Sequence, residues 1–257
     1  MRVSHGVSAV FDDPNLVSCA GLAPVLALAQ RCGLHQLVAD TVTVSGPGSA
    51  NPAVKIPALV AGMVAGADSI DDMDLLRHGG MGRLFGGVRA PSTLGSFLRT
   101  FRFGHVRQLD KVAAGVLVNL AAHTPLLADA DQLVLVDVDD TVKATYGYAK
   151  QGAGYGYSKV KGLNALLGVV STPTSAPVIA AARLRRGATN SARGAARLVA
   201  DTLATARRCG AAGLILTRAD SALCRYRHNA DYAEVLVMPM STPDSVVLGV
   251  TGSLRSA

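Results

Sequence analysis

Two periodicities divide the chain. Up to about residue 128 the apolar positions recur at helical spacing. "LAPVLALAQRCGL" (22–34) reads as a helix that stops at Gly33, and helical character returns over Ile56–Ala67 after a Gly-, Ser- and Pro-rich loop at 42–52. Leu94, Phe97, Leu98 and Phe101 fall at i, i+3, i+4 and i+7 and make one apolar helix face. Ser92 or Thr93 is the expected cap, Pro91 stands just outside, and Gly104 is expected to break this helix before another starts near Gln108. Near residue 130 the period changes. The β-branched run at 133–138 predicts a buried strand, "LNALLGVVS" (163–171) and "APVIAAARL" (176–184) two more, and "GLILTRAD" (213–220) a last short one. The Gly- and Tyr-rich segment 145–162 suits an exposed hairpin or loop. Ser191 can cap a helix over 192–208 that ends at Gly210.

This order predicts an α/β chain: a helical N-terminal region (1–128), a mixed-sheet domain (129–222) with elements in the order β-β-β-α-β, and a tail (223–257) with little periodic character. No internal repeat is visible. The 257 residues suffice for one large core or two small ones. Mean hydropathy is +0.32, which raises the membrane question. The longest apolar run, Val112–Leu127, contains Asn119 and His123 and falls short of a span, so it reads as a buried helix. No signal-peptide pattern precedes it, and the expected compartment is the cytoplasm. Cys19, Cys32, Cys209 and Cys224 form no C-x-x-C pair and no cluster with His, which argues against structural zinc and a disulfide framework. "HGGMGRLFGG" (78–87) lacks a preceding strand and has no phosphate-binding role. A net charge of +7 favours an anionic partner, most simply nucleic acid. The basic candidates are Arg99, Arg102 and Arg107 on the 91–120 helices, and Arg185 and Arg186 at the start of an arginine-rich stretch.

"LVLVDVDDTV" (133–142) carries the chemistry. Asp137, Asp139 and Asp140 crowd the end of the first strand, and such crowding is tolerated where a cation sits among the acids. Two motifs fit. In a haloacid-dehalogenase-like phosphatase, Asp137 would attack phosphorus and Asp139 would act as acid/base beside magnesium. That fold needs strand–helix alternation after the motif, and here about 50 residues of hairpin-like sequence follow. In an RNase H-like nuclease or transposase, three antiparallel strands are followed by a helix and a parallel strand. Asp139 and Asp220, 81 residues apart, then take the first two acid positions. Asp137 shares a strand face with Asp139 and either supports the metal shell or is an exposed strand acid. Asp140 reads as an exposed strand acid.

"PSTLGSFLRTFRFGHVRQLD" (91–110), "VLVDVDDTV" (134–142), "YSKVKGLNALLGVVS" (157–171) and "LTRADSA" (216–222), in that order and spacing, resemble the DDE-type transposases of bacterial insertion sequences, most closely the insertion sequence thirteen-eighty group. The resemblance covers roughly residues 10–222. It implies a helical region that helps bind element ends, then an RNase H-like catalytic domain. It also implies Mg2+ in a two-metal site on Asp139 and Asp220 with Asp137 beside them, and DNA strand cleavage and transfer at terminal inverted repeats. The partners expected are that DNA and a second copy of the chain in a homodimer, with no membrane.

The family's third acid is a Glu far downstream of the second Asp. Here 37 residues follow Asp220 and their one Glu, Glu234, stands in no matching context. The tail, whose run "VLVMPM" is broken by Pro239, is therefore expected to be poorly ordered, as in a truncated or frameshifted copy with an incomplete site. A non-catalytic DNA-binding remnant is the alternative from another class.

Overall fold

The computed structural model describes residues 13–148, 150–220, 235–239 and 245–250. The chain forms two units, Met1–Val116 and Leu117–Ala257. The division falls within a helix, earlier than the 128/129 boundary read from the sequence.

The first unit is helical: α1 (Leu22–Arg31), α2 (Leu34–Thr41), α3 (Pro52–Val64), a 3-10 turn at Asp71–Leu76, α4 (Met81–Leu84), α5 (Pro91–Leu98) and the start of α6 (Phe103–His123). Gly33, at φ 76°, makes the left-handed turn between α1 and α2. Val38, Met73, Leu76, Met81, Leu94 and Phe97 form the buried centre. Phe97 meets Phe101 edge to face at 5.1 Å. Buried Lys55 lies over the Phe97 ring and donates to the Gly48 carbonyl at 2.6 Å.

Two helix starts differ from expectation. Pro91 opens α5 rather than preceding it, because a first-turn residue has no intrahelical N–H bond to lose. α6 starts at Phe103 and takes Gly104 into its first turn. There the His105 ring accepts the Arg102 N–H at 3.1 Å, reaching back over the helix start as in a capping box. α6 buries only Val112 and Gly115 fully, so it is a half-exposed helix and not the buried one expected. Among the described residues no helix is long and apolar enough to cross a membrane.

The second unit is built on a mixed sheet: β1 (Leu133–Ala144), β2 (Gly154–Tyr155), β3 (Lys161–Ser171), β4 (Val178–Arg186), β5 (Leu214–Asp220), β6 (Val235–Pro239) and β7 (Ser245–Val250), with α7 (Ala195–Arg208) between β4 and β5. The sheet order is β2-β3-β1-β5-β7-β6, and β4 also pairs with β3. β1 runs antiparallel to β3 and parallel to β5, and β3 and β4 are antiparallel. The three strands expected at 133–138, 163–171 and 176–184, the helix, and the parallel fourth strand are all present. β1, β3 and β4 follow one another with no intervening helix among the described residues. The strand–helix alternation that a phosphatase requires is therefore absent.

Alternation along the strands puts Val134, Val136, Val138, Leu166 and Val170 into a core shared with Leu198, Leu203 and Ala206 of α7. Gly168 lets α7 approach: a Cβ there would overlap the Thr202 side chain. Gly194, at φ 81°, is the N-cap of α7, so the helix starts three residues later than a Ser191 cap would give.

The tail differs from expectation. β7 pairs antiparallel with β5, and β6 with β7, so these residues extend the sheet. Pro239 is the last residue of β6, the edge strand, a position where proline is tolerated. Glu234 and the rest of 221–234 lie outside the described residues.

Candidate active site on the strand β1

β1 does not end at its acids, as the sequence suggested; it runs through them to Ala144. The two-residue pleat deals the three carboxylates to opposite faces, Asp137 and Asp139 to one, Asp140 to the α7 face with Val136 and Val138.

Asp140 is not a solvated acid. Its Oδ2 accepts from Asn164 Nδ2 and Arg185 Nη2, both at 2.8 Å. Arg185 also donates from Nε to Asn164 Oδ1 at 2.8 Å, and from Nη1 to the carbonyls of Asn190 (3.3 Å), Ser191 (3.0 Å) and Arg193 (2.7 Å). The Arg185 side chain is 9% exposed. Burial pulls its pKa below the ordinary arginine value, and the neighbouring Asp140 charge works against that shift. Arg185 thus ties β1, β3, β4 and the entry to α7 together. Its donors are spent inside the fold, which removes it from the DNA-binding set read from the sequence. Arg186, next on β4, is exposed.

On the other face Asp137 meets Arg218 of β5 in a fork: Nε to Oδ1 at 2.5 Å and Nη2 to Oδ2 at 2.6 Å. These hydrogen bonds hold the Arg218 pKa above the ordinary value. Both Asp137 oxygens are committed to a guanidinium, so this acid is a poor candidate for metal ligand or nucleophile. Sequence reading missed Arg218. The signal was present, because the offset of 81 from Asp139 to Asp220 also leads from Asp137 to Arg218.

Asp139 is exposed, and its Oδ1 accepts the Asp140 N–H at 2.7 Å. The parallel register pairs Asp137 with Arg218 and Val138 with Ala219. Continued by one residue, it sets backbone position 220, the end of β5, beside position 139. The separation of the Asp139 and Asp220 carboxylates lies outside what the described side chains give. Among the described residues no group of three or more His, Cys, Asp or Glu side chains is placed to hold a metal ion. As a donor set, exposed Asp139 with an acid at the adjoining position suits a hard divalent cation, and Asp137 adds nothing while Arg218 holds it.

In the first unit, Arg99 follows α5 and Arg102 precedes α6, both exposed. Arg107 forms an i,i+3 pair with Asp110 at 2.8 Å.

The chain matches the family model for the Transposase DDE domain group 1 over residues 2–232. It belongs to that family. The acids of β1 therefore lie within a DDE transposase domain, whose members act on DNA and generally use divalent metal ions. No curated protein and no solved structure matches the chain.

Proposed function

We propose that this chain is the transposase of an insertion sequence, of the insertion sequence thirteen-eighty group, acting in the cytoplasm on the terminal inverted repeats of its own element. The single observation supporting this reading is the parallel β1–β5 register, which pairs Asp137 with Arg218 and Val138 with Ala219 in a chain of the DDE family and, carried on by one residue, would bring position 220 beside position 139. The strand order, three antiparallel strands, a helix and a parallel strand, supports an RNase H-like domain. Asp139 and Asp220 would hold Mg2+. When bound, that metal supplies activation of a water or 3′-hydroxyl and stabilisation of the leaving oxygen at a phosphodiester.

The chain's own residues do the rest. Arg218 neutralises Asp137, so the developing negative charge at phosphorus meets one fewer anion. The Asp140 N–H fixes the Asp139 carboxylate. The Asp140–Arg185–Asn164 network holds β1 against β3 and β4, which keeps position 139 in place. Arg99, Arg102, Arg107 and Arg186 contact phosphates, and two copies engage the two element ends.

The test uses DNA carrying the element's ends, incubated with the chain and Mg2+. Nicking at the ends, abolished in Asp139→Asn while end binding persists, is the expected result. End binding without nicking makes the chain a DNA-binding remnant, and neither binding nor nicking overturns the reading.

A further inference from the structure

The segment between β1 and β3 is the most unusual surface of the second unit. It carries four tyrosines at paired alternate positions, Tyr146 and Tyr148 on the outgoing arm, Tyr155 and Tyr157 on the returning one. The chain has 5 Phe, 6 Tyr and no Trp, 11 aromatics in all. Placing four of them on one short connection is a concentration that core packing does not explain, because all four are exposed. Tyr148 and Tyr157 reach 103% and 105% exposure, as open as in an extended peptide. None of the four has a hydrogen-bond or ring partner among the described residues. Buried tyrosines normally stabilise a fold through area and a hydroxyl partner; these do neither.

The base of the segment is nevertheless held firmly. β2 pairs with the start of β3, Gly154 with Gly162 and Tyr155 with Lys161. Gly187 N–H donates to the Gly152 carbonyl at 3.0 Å. A Cβ on Gly156 would stand 2.5 Å from the Gly187 carbonyl oxygen, and one on Gly187 would overlap the carbonyls of Gly162 and Gly154. Only glycine lets these backbones lie so close. Lys161 Nζ reaches across to the Gly147 carbonyl at 3.0 Å and ties the returning arm to the outgoing one. The rings therefore project from a glycine-packed, braced base.

Charge selects the partner. Lys143, Lys150, Lys159 and Lys161 flank the tyrosines, and from residue 141 to residue 200 the chain has nine Lys and Arg and not one Asp or Glu. Exposed aromatic faces interleaved with cations in an acid-free stretch of chain match single-stranded nucleic acid, whose bases stack on the rings while lysines follow the phosphates. A duplex hides its base faces and would use only the lysines.

We propose that Tyr146, Tyr148, Tyr155 and Tyr157 form a stacking element for unpaired bases of single-stranded DNA. The proposal rests on the transposase reading above. There the unpaired bases are those of the strand exposed at an opened element end, and the segment begins where β1, the strand that carries Asp139, ends at Ala144.

The absence of Trp makes the test direct, since the tyrosines report through their own emission and four of the six lie on this segment. Oligothymidylate titrated into the full chain is expected to quench that emission. Anisotropy of a labelled oligothymidylate then compares two quadruple variants at 146, 148, 155 and 157. The Tyr→Ala set is expected to bind at least about tenfold more weakly, while the Tyr→Phe set, which keeps the rings, stays within about threefold of the parent chain. Lys150→Gln with Lys159→Gln should flatten the dependence of log K on log salt by about 0.7 per lost phosphate contact. Unchanged far-UV circular dichroism establishes that the Ala set is folded. Undiminished binding by the Ala set overturns the proposal, as does equal loss in the Phe set, which would assign the contact to hydroxyls. If end DNA is bound and nicked but oligothymidylate neither binds nor quenches, the stacking element is lost and the transposase reading stands. If oligothymidylate binds through the rings but end DNA is neither bound nor cut, the transposase reading fails alone.

Discussion

On the α7 side of the sheet Asp140 meets Arg185; on the other side, three residues earlier on the same strand, Asp137 meets Arg218. The first arginine is 9% exposed and makes contacts to two side chains and three carbonyls. The second is 30% exposed, and among the described residues its side-chain hydrogen bonds go to Asp137. The flanking residues differ in the same way. The α7 side holds Val136, Val138, Leu166 and Val170, all buried, whereas Ile179, Leu184 and Leu214 are exposed on the opposite side. A run of acids that looks uniform in sequence is thus split by the pleat. One side uses its carboxylate to build the domain. The other carries exposed Asp139 beside a neutralised Asp137, the arrangement on which the proposed metal site rests.

The largest expected effect lies on the covered face. Arg185→Ala leaves Asp140 without its cation among buried side chains and is expected to cost about 3 kcal/mol of unfolding free energy in urea. Leu166→Ala, which opens a cavity under α7, should cost a similar ~3 kcal/mol. A loss below roughly 1 kcal/mol in both variants would mean that the two faces do not differ as described. Asp137→Asn breaks a bidentate pair that is a third exposed, so its cost is expected near 1 kcal/mol. An Asp137→Asn loss as large as that of Arg185→Ala would show the open-face pair to be equally structural. Leu184→Thr, on the exposed face, should change stability by less than about 0.5 kcal/mol.

The regular pattern of the second unit was legible because period and length agree there. The runs at 133–138, 163–171 and 213–220 are short and rich in β-branched or aliphatic residues, which favours buried strands, and the helix before the last of them suits a parallel crossover. The boundaries were less legible, for reasons that lie far away in the chain. β1 continues through Asp139 and Asp140 because cations 81 and 45 residues downstream neutralise its acids across the sheet. Nothing local announces either partner. Asp140 therefore read as a solvated acid and Arg185 as a phosphate ligand, when each is the other's partner. In the helical unit, Gly104 read as a breaker, yet a first-turn glycine gives up little when His105 satisfies the preceding N–H. The tail read as structureless because its apolar runs are short and one contains Pro239; pairing with the free edge of β5 supplied the ladder that local pattern could not show.

The smallest structural effect is expected at the residue given the largest chemical role. Asp139 is exposed on the open face, and the hydrogen bond from the Asp140 N–H is one that an Asn side-chain oxygen can also accept. Asp139→Asn therefore removes a charge while keeping that hydrogen bond and opening no cavity. It also relieves repulsion from the acid at the adjoining backbone position 220, so stability should hold within about 0.5 kcal/mol or rise slightly. Activity should go the other way. On the proposed reading a divalent cation would lose one of its two anionic ligands, and end nicking should fall below detection while end binding stays within about threefold, since the phosphate contacts are proposed for arginines elsewhere. Thermal unfolding with and without Mg2+ sharpens the point. Stabilisation by the metal should be present in the parent chain and absent in Asp139→Asn, because a ligand stabilises a fold only as far as it binds the native state. A variant that is markedly destabilised, or that still gains stability from Mg2+, would move Asp139 out of the metal-binding role and into the structural class of Asp140.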